Sequence, residues 1–203
     1  MDPAASRVIR RVLADNPAKS IDDPTLIPAA VMLLLDPKDG EYCVLLNKRT
    51  QTVEHHKGEI SFPGGRKDYE DASLLDTALR ETHEEMGIAP ADVEVLGQVD
   101  DMPTNSNYLM SNFIGTIPYP YAFKPSEIEV AEILEAPVPE LRDPRYFKFD
   151  VRLVGGQALD CPEFNYRGHR IWGATGRVLH TFLKLLDKVP DEEAPWRKSH
   201  SKH

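Results

Sequence analysis

The stretch Leu74–Met86, bounded by Ser73 and Gly87, leaves this chain the least freedom of fold. Leu75, Ala78, Leu79, Thr82 and Met86 recur at helical spacing and form one largely apolar stripe. Asp71 or Ser73 can cap the free amides at the helix start, Ser73 with Asp76 makes an Asp-for-Glu variant of a capping box, and Gly87 suits the left-handed residue after the last turn. Such a stripe must lie against another layer. β-like runs on both sides provide one: Ala29–Leu35, Tyr42–Leu46, Val93–Val99, Phe113–Ile117, Phe147–Leu153 and His169–Trp172. A second long helix is expected over Thr175–Leu186, and a short docking helix over residues 6–14 with Val8, Ile9, Val12 and Leu13 on one face. Asp36-Pro37-Lys38-Asp39-Gly40 reads as the turn of a hairpin between the first two strands. The fold class expected is α/β, a sandwich with a mixed sheet.

The same helix carries Glu81, Glu84 and Glu85 at i, i+3 and i+4, sharing an arc of roughly 100°. Like charges so placed cost a helix about 0.2–0.5 kcal/mol, and Arg80 precedes Glu84 in the less favourable order for an ion pair. Stability alone does not select this pattern. A hard divalent cation does, because Mg²⁺ takes oxygen ligands and retains waters that can serve as nucleophiles. Residues 64–95 hold three basic against nine acidic residues, so −6 of the chain's −9 is concentrated there. An ordinary solvated acidic face is the competing reading. Gly64-Gly65 weighs against it, since glycines let the backbone approach a ligand closely and offer a carbonyl, although after Pro63 they also suit a plain turn.

The run Arg80-Glu81-Thr82-His83-Glu84-Glu85-Met86-Gly87, followed by Ile88, resembles the second half of the Nudix box. The loop before it is longer than in the commonest form, with Asp71 near the usual Glu. That departure, with Asp71-Ala72-Ser73, is similar to the coenzyme A pyrophosphatase-like branch. A second signature of that branch runs from Leu45-Leu46 through Lys48-Arg49 and Gly58 to Phe62-Pro63-Gly64-Gly65, and Tyr166-Arg167-Gly168 and Ile171–Gly176 resemble its last strand and helix. Glu54 stands where the branch has an arginine, and Asn112 where it has proline.

The resemblance implies a Nudix-like α/β/α sandwich and hydrolysis of a nucleoside diphosphate derivative with Mg²⁺ or Mn²⁺ and an attacking water. It implies coenzyme A or acyl-coenzyme A as substrate, giving adenosine 3′,5′-bisphosphate and a 4′-phosphopantetheine product. Glu54 keeps NADH or ADP-ribose open, and a nucleotide sensor that does not cleave is the reading from another class. Metal ligands expected from the box are Glu81 and Glu85, with Glu84 as third ligand or orienter and the Gly65 carbonyl as a further one. Arg80 is expected to orient the glutamates, and Glu129, in Ser126-Glu127-Ile128-Glu129-Val130, to act as extra ligand or general base, with an ordinary surface glutamate as its alternative. Lys48, Arg49 and Arg66 are the expected phosphate contacts, or else charges guarding a strand edge.

Composition narrows the remaining classes. In 203 residues, 24 Lys and Arg face 33 Asp and Glu, a balance that repels a polyphosphate backbone, so nucleic acid is not an expected partner. Two cysteines far apart, Cys43 and Cys161, give neither a disulfide framework nor a cysteine zinc site and fit a reducing cytoplasm. His55, His56 and His83 lack the spacing of tetrahedral zinc. No apolar run approaches a membrane span or a secretory signal, and Ser201-Lys202-His203 lacks the leucine of a peroxisomal signal. The expected partner is the small-molecule substrate, without membrane, and a homodimer stays open as the assembly. The divisions expected are 1–24 as helix and lead-in, 25–189 as the hydrolase domain, and 190–203 as a mobile tail with little but Trp196 to bury.

Overall fold

The computed structural model describes residues 3–52, 56–154 and 157–197. In chain order these form α1 (Pro3–Ala14), β1 (Ile27–Asp36), β2 (Cys43–Arg49), β3 (Ile60–Ser61), β4 (Gly64–Arg66), α2 (Leu74–Met86), β5 (Glu94–Pro103), β6 (Tyr108–Thr116), β7 (Val130–Pro137), α3 (Val138–Leu141), β8 (Phe147–Val154), β9 (Gln157–Tyr166), β10 (His169–Ile171) and α4 (Gly173–Asp187).

The continuous apolar run of β1 dictates the layering, because a strand without polar alternation has to be covered on both faces. Ala30, Met32 and Leu34 pack with Ala78 and Met86 of α2. Leu33 and Leu35 point the other way, into the core that holds Ile9 and Val12 of α1 and Val178 and Phe182 of α4. β2 divides likewise, Leu45 toward α2 and Val44 and Leu46 toward α1 and α4. The result is the α/β/α sandwich expected from the sequence. Its sheet is mixed: β1 runs parallel to β6 from Ile27↔Tyr108 to Leu35↔Thr116, while its other pairings are antiparallel. A second, three-stranded sheet has the order β10-β9-β8.

The first hairpin departs from expectation in a way that builds the site. β1 and β2 pair only at Leu35↔Val44 and Asp36↔Cys43 and then separate. β4 takes the freed edge of β1, pairing Ala30 with Gly65 and Val31 with Gly64. β3 takes the freed edge of β2, pairing Asn47 with Ser61 and Lys48 with Ile60, since the outer edge of β2 is filled by β7. This wedge requires Gly64: a Cβ there would lie 2.3 Å from the Ala30 carbonyl oxygen, an approach that excludes any side chain.

Other expectations are corrected in extent. β5 and β6 extend well beyond Val93–Val99 and Phe113–Ile117, with register shifts between Val95 and Gly97 and between Val99 and Met102. Asn112 therefore lies inside β6, buried, and its amide donates 2.7 Å to the carbonyl of Asp100 in the second irregularity. At the C-terminus, residues 190–197 do not form part of a mobile tail. Ala194 and Trp196 are buried in the main core, with the Trp196 ring edge-on to Tyr42 at 6.5 Å, because one large indole supplies enough apolar surface to hold a short segment. Ser201-Lys202-His203 and Glu54-His55 lie outside the described residues. Among the described residues no helix is long and apolar enough to cross a membrane.

Candidate active site

α2 begins as its sequence demands. The Ser73 hydroxyl oxygen accepts from the Asp76 amide at 3.2 Å and donates to the Asp76 carboxylate at 2.7 Å, so Ser73, not Asp71, is the cap. At the other end Gly87 takes φ +71° and its N–H donates to the His83 carbonyl. Two further carbonyls of the last turn, Glu85 and Met86, accept from the amides of Ser126 and Lys124 at 3.0 Å. Those bonds hang the segment before β7 on the helix end and carry Glu129 to the site.

Asp71 has a different task. Arg80 grips it in a two-pronged pair, Nε to Oδ1 and Nη2 to Oδ2, both 3.0 Å, and the Thr77 hydroxyl donates to it at 2.9 Å. The guanidinium holds the Asp71 carboxyl well below the usual carboxylate range. The same Arg80 reaches Glu81 at 2.9 Å, Glu84 at 3.0 Å and the Arg66 carbonyl at 3.3 Å. One side chain thus ties the loop, the strand edge and two glutamates together.

Glu81 lies against Gly65: a Cβ on that glycine would sit 2.4 Å from Glu81 Oε1. Burial raises its pKa against the pull of Arg80. Glu85 is deeper, 3 % exposed. Its Oε2 accepts from Asn47 Nδ2 at 2.7 Å, and Arg49 Nη1 stands 3.6 Å from Oε1. Burial pushes Glu85 up to about 8, the nearby Glu81 and Glu129 adding to it while Arg49 and Asn47 oppose it. An acidic group is therefore held where ionisation is costly unless positive charge arrives, which is the environment a hard cation relieves.

The geometry brings together Gly65, Arg80, Glu81, Glu85 and Glu129, the last half-buried and close enough to raise both glutamates. Glu84 sits apart: its side chain is 55 % exposed and engaged with Arg80. Among the described residues no three acidic or imidazole groups close on one point as a finished metal cage; Glu81 and Glu84 share Nη1 of Arg80 instead. Lys48 does not reach the cluster. It projects from the opposite face of β2 to Asn47, as strand alternation requires, and stands 3.7 Å from Glu132. Arg49 faces Glu85 instead of standing free for phosphate. Arg66 is exposed beside Gly65, on the rim of an open depression of about 460 Å³ with Lys67 and Tyr69. Asn47 was not anticipated as a site residue. Its signal was a lone polar residue at an inward-facing position, two before Arg49.

A NUDIX domain model matches residues 25–151, which places the chain among the hydrolases of nucleoside diphosphate derivatives. It is 34% identical to an uncharacterised Nudix hydrolase NudL of Photorhabdus laumondii over 172 residues, covering 84% of this chain and 90% of that one. Against the uncharacterised Nudix hydrolase NudL of Yersinia enterocolitica the identity is 36% over 148 residues, 72% of this chain and 75% of the relative. A crystal structure of a MutT/nudix family protein from Enterococcus faecalis shares the fold, with a TM-score of 0.52 at 14% identity over 97% of this chain and 78% of that one. The chain belongs to the Nudix family and is a Nudix hydrolase.

Proposed function

We propose that this enzyme hydrolyses the diphosphate linkage of coenzyme A or acyl-coenzyme A, releasing adenosine 3′,5′-bisphosphate and a 4′-phosphopantetheine product. The observation that carries a diphosphatase chemistry is the buried Glu85 beside Glu81, Gly65 and Glu129, an all-oxygen donor set with a carboxyl held up to about 8. That set fits Mg²⁺ or Mn²⁺, which prefer oxygen ligands. Glu81 and Glu85 would hold the ion, with the Gly65 carbonyl and, after release from Arg80, Glu84 as further ligands. When bound, the ion supplies charge neutralisation for the diphosphate and lowers the pKa of a coordinated water.

The chain's own groups do the rest. Arg80 keeps Glu81 and Glu84 oriented by charge-assisted bonds. Glu129, half-buried at the edge of the cluster, is the base or a further ligand. Arg66, with no ion-pair partner among the described residues, is placed to meet a substrate phosphate at the rim. The coenzyme A assignment is supported by the Leu45–Gly65 signature.

A panel of coenzyme A, acetyl-coenzyme A, NADH and ADP-ribose with Mg²⁺ or Mn²⁺, scored by product identity, tests both levels. The two coenzyme A products are expected, and Glu85→Gln should lower turnover by about two orders of magnitude. Turnover of NADH or ADP-ribose alone removes the coenzyme A assignment, a result that Glu54 in place of the branch's arginine would explain. Binding of nucleotides without any cleavage favours the sensor.

A further inference from the structure

Among the described residues, three buried side-chain atoms near Glu85 have no hydrogen-bond partner: Asn47 Oδ1, Ser61 Oγ and Arg49 Nε. They belong to one place. Asn47 and Ser61 are directly opposed in the β2–β3 pair, so their Cβ atoms are about 5 Å apart on one face of the sheet. Arg49 is two residues along the same strand, and its contact with Glu85 puts it on that same face. Leu46 and Ile60 lie in the opposite core, consistent with the alternation. Buried polar atoms in folded proteins are nearly always satisfied, and where the protein offers no partner an ordered water with about three bonds is the usual answer.

The chemistry of the three atoms suits a single water. Asn47 Oδ1 accepts, Arg49 Nε–H donates and the Ser61 hydroxyl does either. Asn47 Nδ2 donates to Glu85 at 2.7 Å, which leaves Oδ1 as the acceptor the amide still has to place. We propose that an ordered water occupies the recess where β3 meets β2, bonded to Asn47 Oδ1, Ser61 Oγ and Arg49 Nε, and that through Asn47 it fixes the orientation of Glu85. Asn47 and Ser61 are then positioning residues of this enzyme, and the wedge that opens the first hairpin has a catalytic purpose: it delivers Ser61 to the far side of Asn47. The part concerning turnover rests on the diphosphatase reading, whereas the water does not.

Crystals of the metal-free protein diffracting well enough to place waters are the direct test, compared with Ser61→Ala and Ser61→Thr. The water is expected in the wild type and in Ser61→Thr, which keeps the hydroxyl, and absent or displaced in Ser61→Ala. Turnover should fall about tenfold in Ser61→Ala with KM unchanged, as for one lost positioning bond, and return with threonine. Asn47→Leu should show a larger loss of turnover, also at unchanged KM. A dry recess, or Ser61 bonded directly to Asn47, overturns the proposal, as does an equal fall in Ala and Thr variants. If the wild type cleaves no diphosphate, the functional reading fails and the crystallographic comparison alone decides the water.

Discussion

Glu85 offers a perturbation whose stability effect runs opposite to its effect on activity. Burial holds its carboxyl near 8 in the fold, whereas an unfolded chain releases the proton near the ordinary glutamate value of about 4.3. A raised folded-state pKa stabilises fully below the unfolded value, and that contribution drains away as pH climbs through the folded one. Each pH unit in this window is worth about 1.4 kcal/mol, so the ceiling is about 5 kcal/mol and a difference of about 2–4 kcal/mol is expected. Glu85→Gln removes the ionisation and keeps an oxygen for Asn47. In EDTA, urea denaturation of the two proteins should agree near pH 4 and diverge toward pH 9, where the variant is the more stable. Asp36, raised by burial to about 7, slopes in the same direction in both proteins and cancels from the difference. Parallel stability curves across this range would refute the claim that Glu85 is held protonated.

If Glu85 is a ligand, Mg²⁺ or Mn²⁺ must displace its proton, so calorimetric titrations at pH 7 in buffers of different ionisation enthalpy should report about one proton released; buffer-independent heats would exclude it. Gly65→Ala places a methyl group 2.4 Å from Glu81 Oε1 and should lower turnover at least about tenfold with a small change in Tm, since the carboxylate end can swing aside. Arg80→Lys cannot reproduce the two-pronged hold on Asp71 and should cost about 2–4 kcal/mol in denaturant stability. Trp196→Ala should destabilise by about 3–5 kcal/mol, a loss that a freely moving tail would not give.

The strongest sequence signals were those with period and punctuation together. α2 was legible from Leu74 to Met86 because its apolar stripe, its Ser73 start and its Gly87 stop agree. β1 and the core of β2 were legible because full burial leaves a long apolar run. β3 and β4, of two and three residues, are too short to carry any period, so the opening of the hairpin was invisible. β7 and β9 were hidden for a different reason: Glu132 and Glu135 interrupt one, and Cys161-Pro162 sits within the other. At the site, helical spacing placed the glutamates on one arc, yet it could not say that Glu84 stays exposed on Arg80 while Glu85 is buried against Asn47. The facing of Lys48 away from Asn47 was available from strand alternation, but Arg49 follows a register shift in the pairing of β2 with β7, so its place beside Glu85 was not.

Because a single guanidinium spans Asp71, Glu81, Glu84 and the Arg66 carbonyl, the loop before α2 and the acids of the helix share one tie. Attempts to uncouple them, by making a well-folded protein with a scrambled acidic pair, will have to begin at some residue other than Arg80.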